Sequence, residues 1–380
     1  LDRLVRALAE AERPAIVAGP APLAQRGARA DVATLTRATG AVLFADATSQ
    51  LRFTGGALPG RVFAFDAALR SATGRAALAP DLVLQLGAPP VGKGWELLAA
   101  ERSAPTRYLV APAGWPDPMS DARGLVRADV GRTAAAVVER LRGGAPGGPR
   151  PSALAFRARW EAVDAAAARA AVEIATEGFG EPAVVRAVVD ALDAGDLLMI
   201  GNSLPVRHLD TWASHRVRDV GVLSQRGASG IDGLIAGGAG AAAASGARTV
   251  ALLGDVSFLH GAGGLALTRA LTAPFVVVVL NNGGGRIFEQ LPVAGRAGDA
   301  IGHFTTPHET DLQHAARLHG AHFARVASES ALRSALGEAL GRTACTVLEA
   351  RVPDDGARGA GARLFAALHD AMAQLAGDGA

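Results

Sequence analysis

Gly254-Asp255-Val256-Ser257 and Asn281-Asn282-Gly283-Gly284-Gly285-Arg286-Ile287-Phe288 are the two stretches on which the reading of this chain turns. Each follows an apolar run, 250–253 in the first case and 275–280 in the second, and each run stops abruptly in polar and glycine residues. The segment between them, 259–271, places Leu259, Leu265 and Leu267 on a helix. The order is therefore strand, acidic turn, helix, strand, amide-rich turn. In an open parallel sheet, ligands bind outside the carboxyl ends of the strands. Asp255 and Asn282 are expected side by side at such an end, although they lie 27 residues apart in sequence.

The donor chemistry of this pair is that of a hard cation site. Asp255 offers an anionic oxygen, Asn282 a neutral carbonyl oxygen, and the glycine run a backbone carbonyl. Mg²⁺ takes oxygen ligands and is commonly held by one or two carboxylate-type groups together with substrate phosphate oxygens. Glycines let backbone approach a phosphate, and a helix starting after Ser257 would point its N–H groups at the anion. The expectation is a Mg²⁺-diphosphate site. The same residues also read as two ordinary strand-end turns, because Gly-Asp and Asn-Gly are common turn dipeptides.

The remaining sequence bounds this reading. A chain of 380 residues, 49% hydrophobic and 19% charged, has room for two domains with ample cores. Aromatics are only 4%, so alanine, valine and leucine must fill those cores. The net charge is +2, Lys93 is the single lysine, and no basic block interleaves with aromatics, so nucleic-acid binding has no footprint. No apolar run reaches the length of a membrane span. A single cysteine, Cys345, lies in an apolar strand, which rules out an internal disulfide, suits a reducing cytoplasm, and reads as core.

Strands near 15–18, 41–44, 81–86, 107–110 and 125–128 alternate with helical segments, the signature of parallel α/β units. A Gly/Pro-rich linker occupies 143–151, dividing a first α/β domain at 1–142 from a second at 152–380. The second domain opens with alanine-rich helix 153–174 and repeats the pattern, with strands near 196–200, 220–223, 248–253, 275–280, 323–326 and 345–348 and a helix over 230–245. The predicted fold class is α/β, with two doubly wound parallel-sheet domains. The first domain lacks Gly-x-Gly-x-x-Gly after its first strand. Its Walker-like Gly87–Lys93 stretch has Gly94 where a Ser or Thr would hold the metal, and prolines where N–H groups would cradle phosphate. The His314, His319 and His322 cluster lacks zinc-site spacing.

Two further groups sit at strand ends of the second domain. Asn202, Ser203 and Arg207 follow the strand 196–200, and an amide, a hydroxyl and a guanidinium together suit a carboxylate-bearing substrate. Ser203 with Pro205 also reads as a helix N-cap and first turn. Arg226 follows the strand 220–223 and precedes a glycine-spaced turn.

Taken together, Gly201-Asn202-Ser203-Leu204-Pro205-Val206-Arg207, Arg226-Gly227-Ala228-Ser229-Gly230-Ile231-Asp232-Gly233 and the two opening stretches resemble the thiamine-diphosphate enzymes, in the order and spacing of the menaquinone-pathway SEPHCHC synthase family (2-succinyl-5-enolpyruvyl-6-hydroxy-3-cyclohexene-1-carboxylate synthase). The match is specific in the C-terminal half and looser before it. The resemblance implies a middle domain followed by a diphosphate-binding domain. It further implies decarboxylation of 2-oxoglutarate and 1,4-addition of the succinyl unit to isochorismate. Its implied cofactors are thiamine diphosphate and Mg²⁺ or Mn²⁺. On this footing Asp255, Asn282 and Gly284 hold the metal and Ser257 helps bind the diphosphate. Asn202, Ser203, Arg207 and Arg226 face the acidic substrates. Ile231 is the aliphatic wedge between the cofactor's rings, with Ile287, Phe288 and Leu291 as an apolar wall. His208, where some members have Asp, is given no role. The family's activating glutamate belongs to an N-terminal pyrimidine-binding domain that is expected to be absent here. No glutamate of this chain takes its place, so the expectation is a partial enzyme with poor turnover alone. The resemblance also implies a cytoplasmic homodimer or homotetramer. Acetolactate synthase or 2-oxo acid decarboxylase chemistry, or a non-catalytic α/β binding fragment, are the competing readings.

Overall fold

The computed structural model describes residues 1–101, 104–144, 148–213 and 218–377. Contacts divide the chain into two compact units, Leu1–Ala170 with Leu364–Ala380, and Ala171–Arg363. The helix Pro151–Thr176 begins in the first unit and ends in the second. The expected linker at 143–151 falls partly on residues 145–147, outside the described residues. Gly143 and Gly144 close the helix Val130–Gly144.

In the first unit β1 (Pro14–Ala18), β2 (Val42–Ala45), β3 (Arg61–Val62), β4 (Leu82–Leu86), β5 (Thr106–Val110) and β6 (Gly124–Val126) form one sheet in the order β3-β2-β1-β4-β5-β6. All its pairings are parallel. β1, β2 and β4 are buried throughout, as strands covered by helices on both faces must be. The strand order reverses between β1 and β4, where a doubly wound sheet opens its crevice. Here that crevice is filled by the chain itself. The Gly19 N–H donates to the Ala88 carbonyl at 3.0 Å, and a Cβ on Gly19 would lie 2.3 Å from the Pro89 carbonyl oxygen. The fully buried Asp46 carboxylate accepts from the Thr48 N–H and hydroxyl and from the Val91 N–H, tying the two loops together.

Asp164 plays a comparable part on the helix side. Its Oδ1 accepts from the N–H groups of Phe63 and Ala64, at 2.7 and 2.8 Å, just before the helix Phe65–Arg70. Burial pushes this carboxyl up, against those bonds and the Arg52 and Arg61 guanidiniums. Replacing it by alanine leaves two donors without an acceptor, each costing about 1–3 kcal/mol. Asp164→Ala is therefore expected to destabilise the chain by about 3 kcal/mol in urea unfolding. A change below about 0.5 kcal/mol would show that the bonds carry no weight.

In the second unit β7 (Leu197–Ile200), β8 (Gly221–Leu223), β9 (Thr249–Gly254), β10 (Phe275–Asn281), β11 (His322–Val326) and β12 (Cys345–Arg351) form a second all-parallel sheet in the order β11-β12-β10-β9-β7-β8. β10 is buried at every position, which its unbroken valine run requires. Cys345 lies buried at the start of β12, its thiol pushed up to about 11 by burial, in keeping with a core role. Among the described residues no helix is long and apolar enough to cross a membrane.

Three local readings change. The helix after β9 begins at Asp255 itself, not beyond Ser257, and gives way at Ala262 to a 3-10 helix running to Ala270. With three residues per turn the face rotates differently, so Leu265 is buried while Leu267 is 56% exposed. The helix expected over 230–245 starts at Leu234, after Gly233 in the left-handed region. The two-residue strand β3 has no counterpart in the sequence reading, being too short to show periodicity.

Candidate active site

The site forms where β7, β9 and β10 end together. Ile200 pairs with Leu252, and Leu280 with Gly254, so the turns after the three strands emerge at one level. The strand order of the second sheet reverses between β7 and β9, where a doubly wound sheet opens. A cavity of about 350 Å³ lies there.

Asp255, 2% exposed, is the first residue of its helix. Its Oδ1 accepts from the Val256 N–H at 2.7 Å, and its Oδ2 accepts from the Gly284 N–H at 2.9 Å. The acidic turn and the glycine turn are thus joined directly. Burial pushes the Asp255 carboxyl up, the two N–H bonds and the nearby His308 opposing it. His308 Nε2 lies 3.5 Å from Oδ2. The turn after β10 needs its glycines. Gly283 and Gly284 have φ of +74° and +138°, and a Cβ on Gly284 would meet the Thr305 carbonyl oxygen at 2.5 Å. Asn282 is buried, its Nδ2 donating to Glu181 Oε1 at 2.8 Å while its Oδ1 is buried with no hydrogen-bond partner among the described residues. A buried, unpartnered carbonyl oxygen beside a buried carboxylate is what a hard cation requires of its ligands, so these residues fit a divalent metal.

Asp255, Asn282 and Gly284 all line the cavity, as do Ser257, Ser203, Arg207 and Arg226. Ile231, Ile287, Phe288 and Leu291 supply its apolar lining. Ser203 is held at φ +70°, a strained position for a residue with a side chain, and its hydroxyl makes no capping bond to the helix Leu204–Trp212. Arg207 donates to the Ser203 carbonyl at 2.7 Å and so braces that turn.

Asn202 is the exception among the sequence-derived residues, because it does not line the cavity. Its Nδ2 donates to the carbonyls of Gln225 and Gly230, and its Oδ1 accepts from Arg226 Nη1 at 2.7 Å. The 2% exposed amide fastens the 225–230 loop and positions Arg226. Two residues were missed. Glu181, the first residue of the helix Glu181–Ala191, lines the cavity, and its Oε2 lies 2.5 Å from Nε2 of His208. No short-range pattern marks either residue, because their partners lie far along the chain.

Residues 212–350 match the protein-family model for the thiamine pyrophosphate enzyme, C-terminal TPP binding domain. That segment is thus similar to the C-terminal domain of thiamine pyrophosphate enzymes. Over a longer stretch the chain is similar to proteins named 2-succinyl-5-enolpyruvyl-6-hydroxy-3-cyclohexene-1-carboxylate synthase. It is 41% identical to the protein of that name from Sorangium cellulosum over 396 residues, covering 100% of this chain and 64% of the relative. It is 37% identical to that of Myxococcus xanthus, covering 90% and 57% respectively. It is 33% identical to that of Geobacillus kaustophilus, covering 92% and 59%. The chain thus spans less than two thirds of the length of these curated relatives.

Proposed function

We propose that this chain serves the thiamine-diphosphate-dependent decarboxylation of 2-oxoglutarate and the 1,4-addition of the succinyl unit to isochorismate, giving SEPHCHC in menaquinone biosynthesis. The observation that carries the reading is the Asn282 Oδ1, unpartnered among the described residues, together with the buried Asp255 carboxylate in a cavity also lined by three arginines, Arg207, Arg226 and Arg286. Bound thiamine diphosphate supplies the electron sink that lets a 2-oxo acid lose CO₂ and its acyl carbon act as a nucleophile. Every other task falls to the protein.

Asp255, Asn282 and the Gly284 carbonyl would hold Mg²⁺ or Mn²⁺, which would neutralise the diphosphate. The Ser257 hydroxyl would donate to that diphosphate. Ile231 would support the cofactor, and Ile287, Phe288 and Leu291 would keep water from the reacting carbon. Arg226, braced by Asn202, and Arg207 with Ser203 bind the carboxylates of the two acidic substrates, where a planar guanidinium is the matching partner. The working form is a cytoplasmic homodimer or homotetramer.

The substrate assignment predicts a preference. With thiamine diphosphate and Mg²⁺ present, 2-oxoglutarate quenches intrinsic tryptophan fluorescence at concentrations at least about tenfold below those needed for pyruvate, the extra carboxylate contributing about 1.5–3 kcal/mol through a charged bond. Equal or tighter binding of pyruvate would sink the assignment and favour acetolactate-type chemistry.

A further inference from the structure

Asn282 presents a problem of orientation. A carboxamide has nearly the same shape when turned by half a revolution about its last bond, but only one of the two settings aims oxygen at a cation. In this chain the setting is enforced from behind. Asn282 Nδ2 donates to Glu181 Oε1 at 2.8 Å. The NH₂ group thus faces Glu181, and Oδ1 faces away, buried and without a hydrogen-bond partner among the described residues.

Glu181 is itself held. It is 2% exposed and opens the helix Glu181–Ala191, whose N-terminal dipole favours a negative charge. Its second oxygen lies 2.5 Å from Nε2 of His208, which is 7% exposed. His208 sits on the helix Leu204–Trp212, next to Arg207 of the cavity wall. A row of three buried side chains, Asn282–Glu181–His208, thus runs from the end of β10 to that helix.

We infer that Glu181 is a positioning residue for the cation, setting the Asn282 carboxamide with its oxygen forward. This inference rests on the metal reading proposed above. Partners of this kind behind a ligand change metal affinity by about 10–100-fold when removed.

The test is Mn²⁺ affinity, read by electron paramagnetic resonance of free Mn²⁺ with thiamine diphosphate present. Glu181→Ala is expected to weaken Mn²⁺ binding at least about tenfold. Glu181→Gln retains a carbonyl acceptor for Asn282 Nδ2 and is expected to stay within about threefold of the unaltered chain. Unchanged affinity in Glu181→Ala overturns the inference, as does an equal loss in both variants. If the unaltered chain binds no Mn²⁺, the metal reading itself falls. Should Glu181→Ala fail to fold, the side-chain amides decide. The chain has three asparagines, at 202, 281 and 282, so ¹⁵N-asparagine labelling resolves them, with Asn282 assigned by its loss in Asn282→Asp. Glu181→Gln is expected to shift the Asn282 NH₂ protons upfield and leave Asn202 in place. An unmoved Asn282 signal overturns the inference.

Discussion

Asp255→Asn is expected to lower Mg²⁺-dependent binding of thiamine diphosphate by about 100-fold or more while the chain stays folded. The size follows from comparison with groups behind a ligand, whose loss alone costs about 10–100-fold. Removal of the single anionic ligand should reach at least the upper end of that range. The substitution conserves volume, so no cavity opens at a position only 2% exposed. Both Asp255 oxygens accept a backbone N–H, and the amide keeps one acceptor while turning its NH₂ on the other donor, so a stability loss of about 1–3 kcal/mol accompanies the substitution. Loss of binding in a variant that is still folded separates a ligand from a structural acid. A variant that binds the cofactor as well as the unaltered chain would remove Asp255 from the metal.

Gly284→Ala should be nearly as severe for a different reason. At φ +138° a side chain is strained by about 1–3 kcal/mol, and here the new Cβ would also meet the Thr305 carbonyl at 2.5 Å. That carbonyl is not free to retreat, since it accepts the Gly285 N–H at 2.6 Å. The turn must move, and with it both the Gly284 N–H bonded to Asp255 and the Asn282 amide. The expected result is a stability loss of about 2 kcal/mol or more together with loss of Mn²⁺ affinity. Gly283→Ala is the control. Its φ is +74° and its nearest obstacle is the flexible end of Arg286 at 3.6 Å, so it should cost only the left-handed penalty of about 1–2 kcal/mol. Equal effects at the two positions would contradict the crowding described for Gly284.

Part of this site is legible in the sequence. Asp255 and Asn282 were legible because each ends an apolar run, and parallel strands align their ends. The cavity-lining residues Ser203, Arg207 and Arg226 were legible at strand ends, whereas Ile231 was reached only through the family resemblance. Asn202 belongs to the same motif, yet its amide is consumed by the Gln225 and Gly230 carbonyls, a loop closure that no local pattern announces. Glu181 lies 101 residues from Asn282 and reads locally as an ordinary acidic residue opening a helix. His208 stands out in the sequence only as a departure from the family's Asp, and its approach to Glu181 has no local signature. Local periodicity reports which face of an element is buried, whereas a bond between two buried polar groups depends on how distant elements meet. The exposure of Leu267 and the brevity of β3 have a different origin, since 3-10 turns and two-residue strands lack enough repeats to show a period.

The proposed function depends on thiamine diphosphate binding through a divalent cation at Asp255 and Asn282. Calorimetric titration with thiamine diphosphate, with Mg²⁺ and then with the cation removed by chelation, is the decisive test. Saturable heat is expected with Mg²⁺, lost on chelation and absent in Asp255→Asn. Binding of equal strength with and without the cation would contradict it.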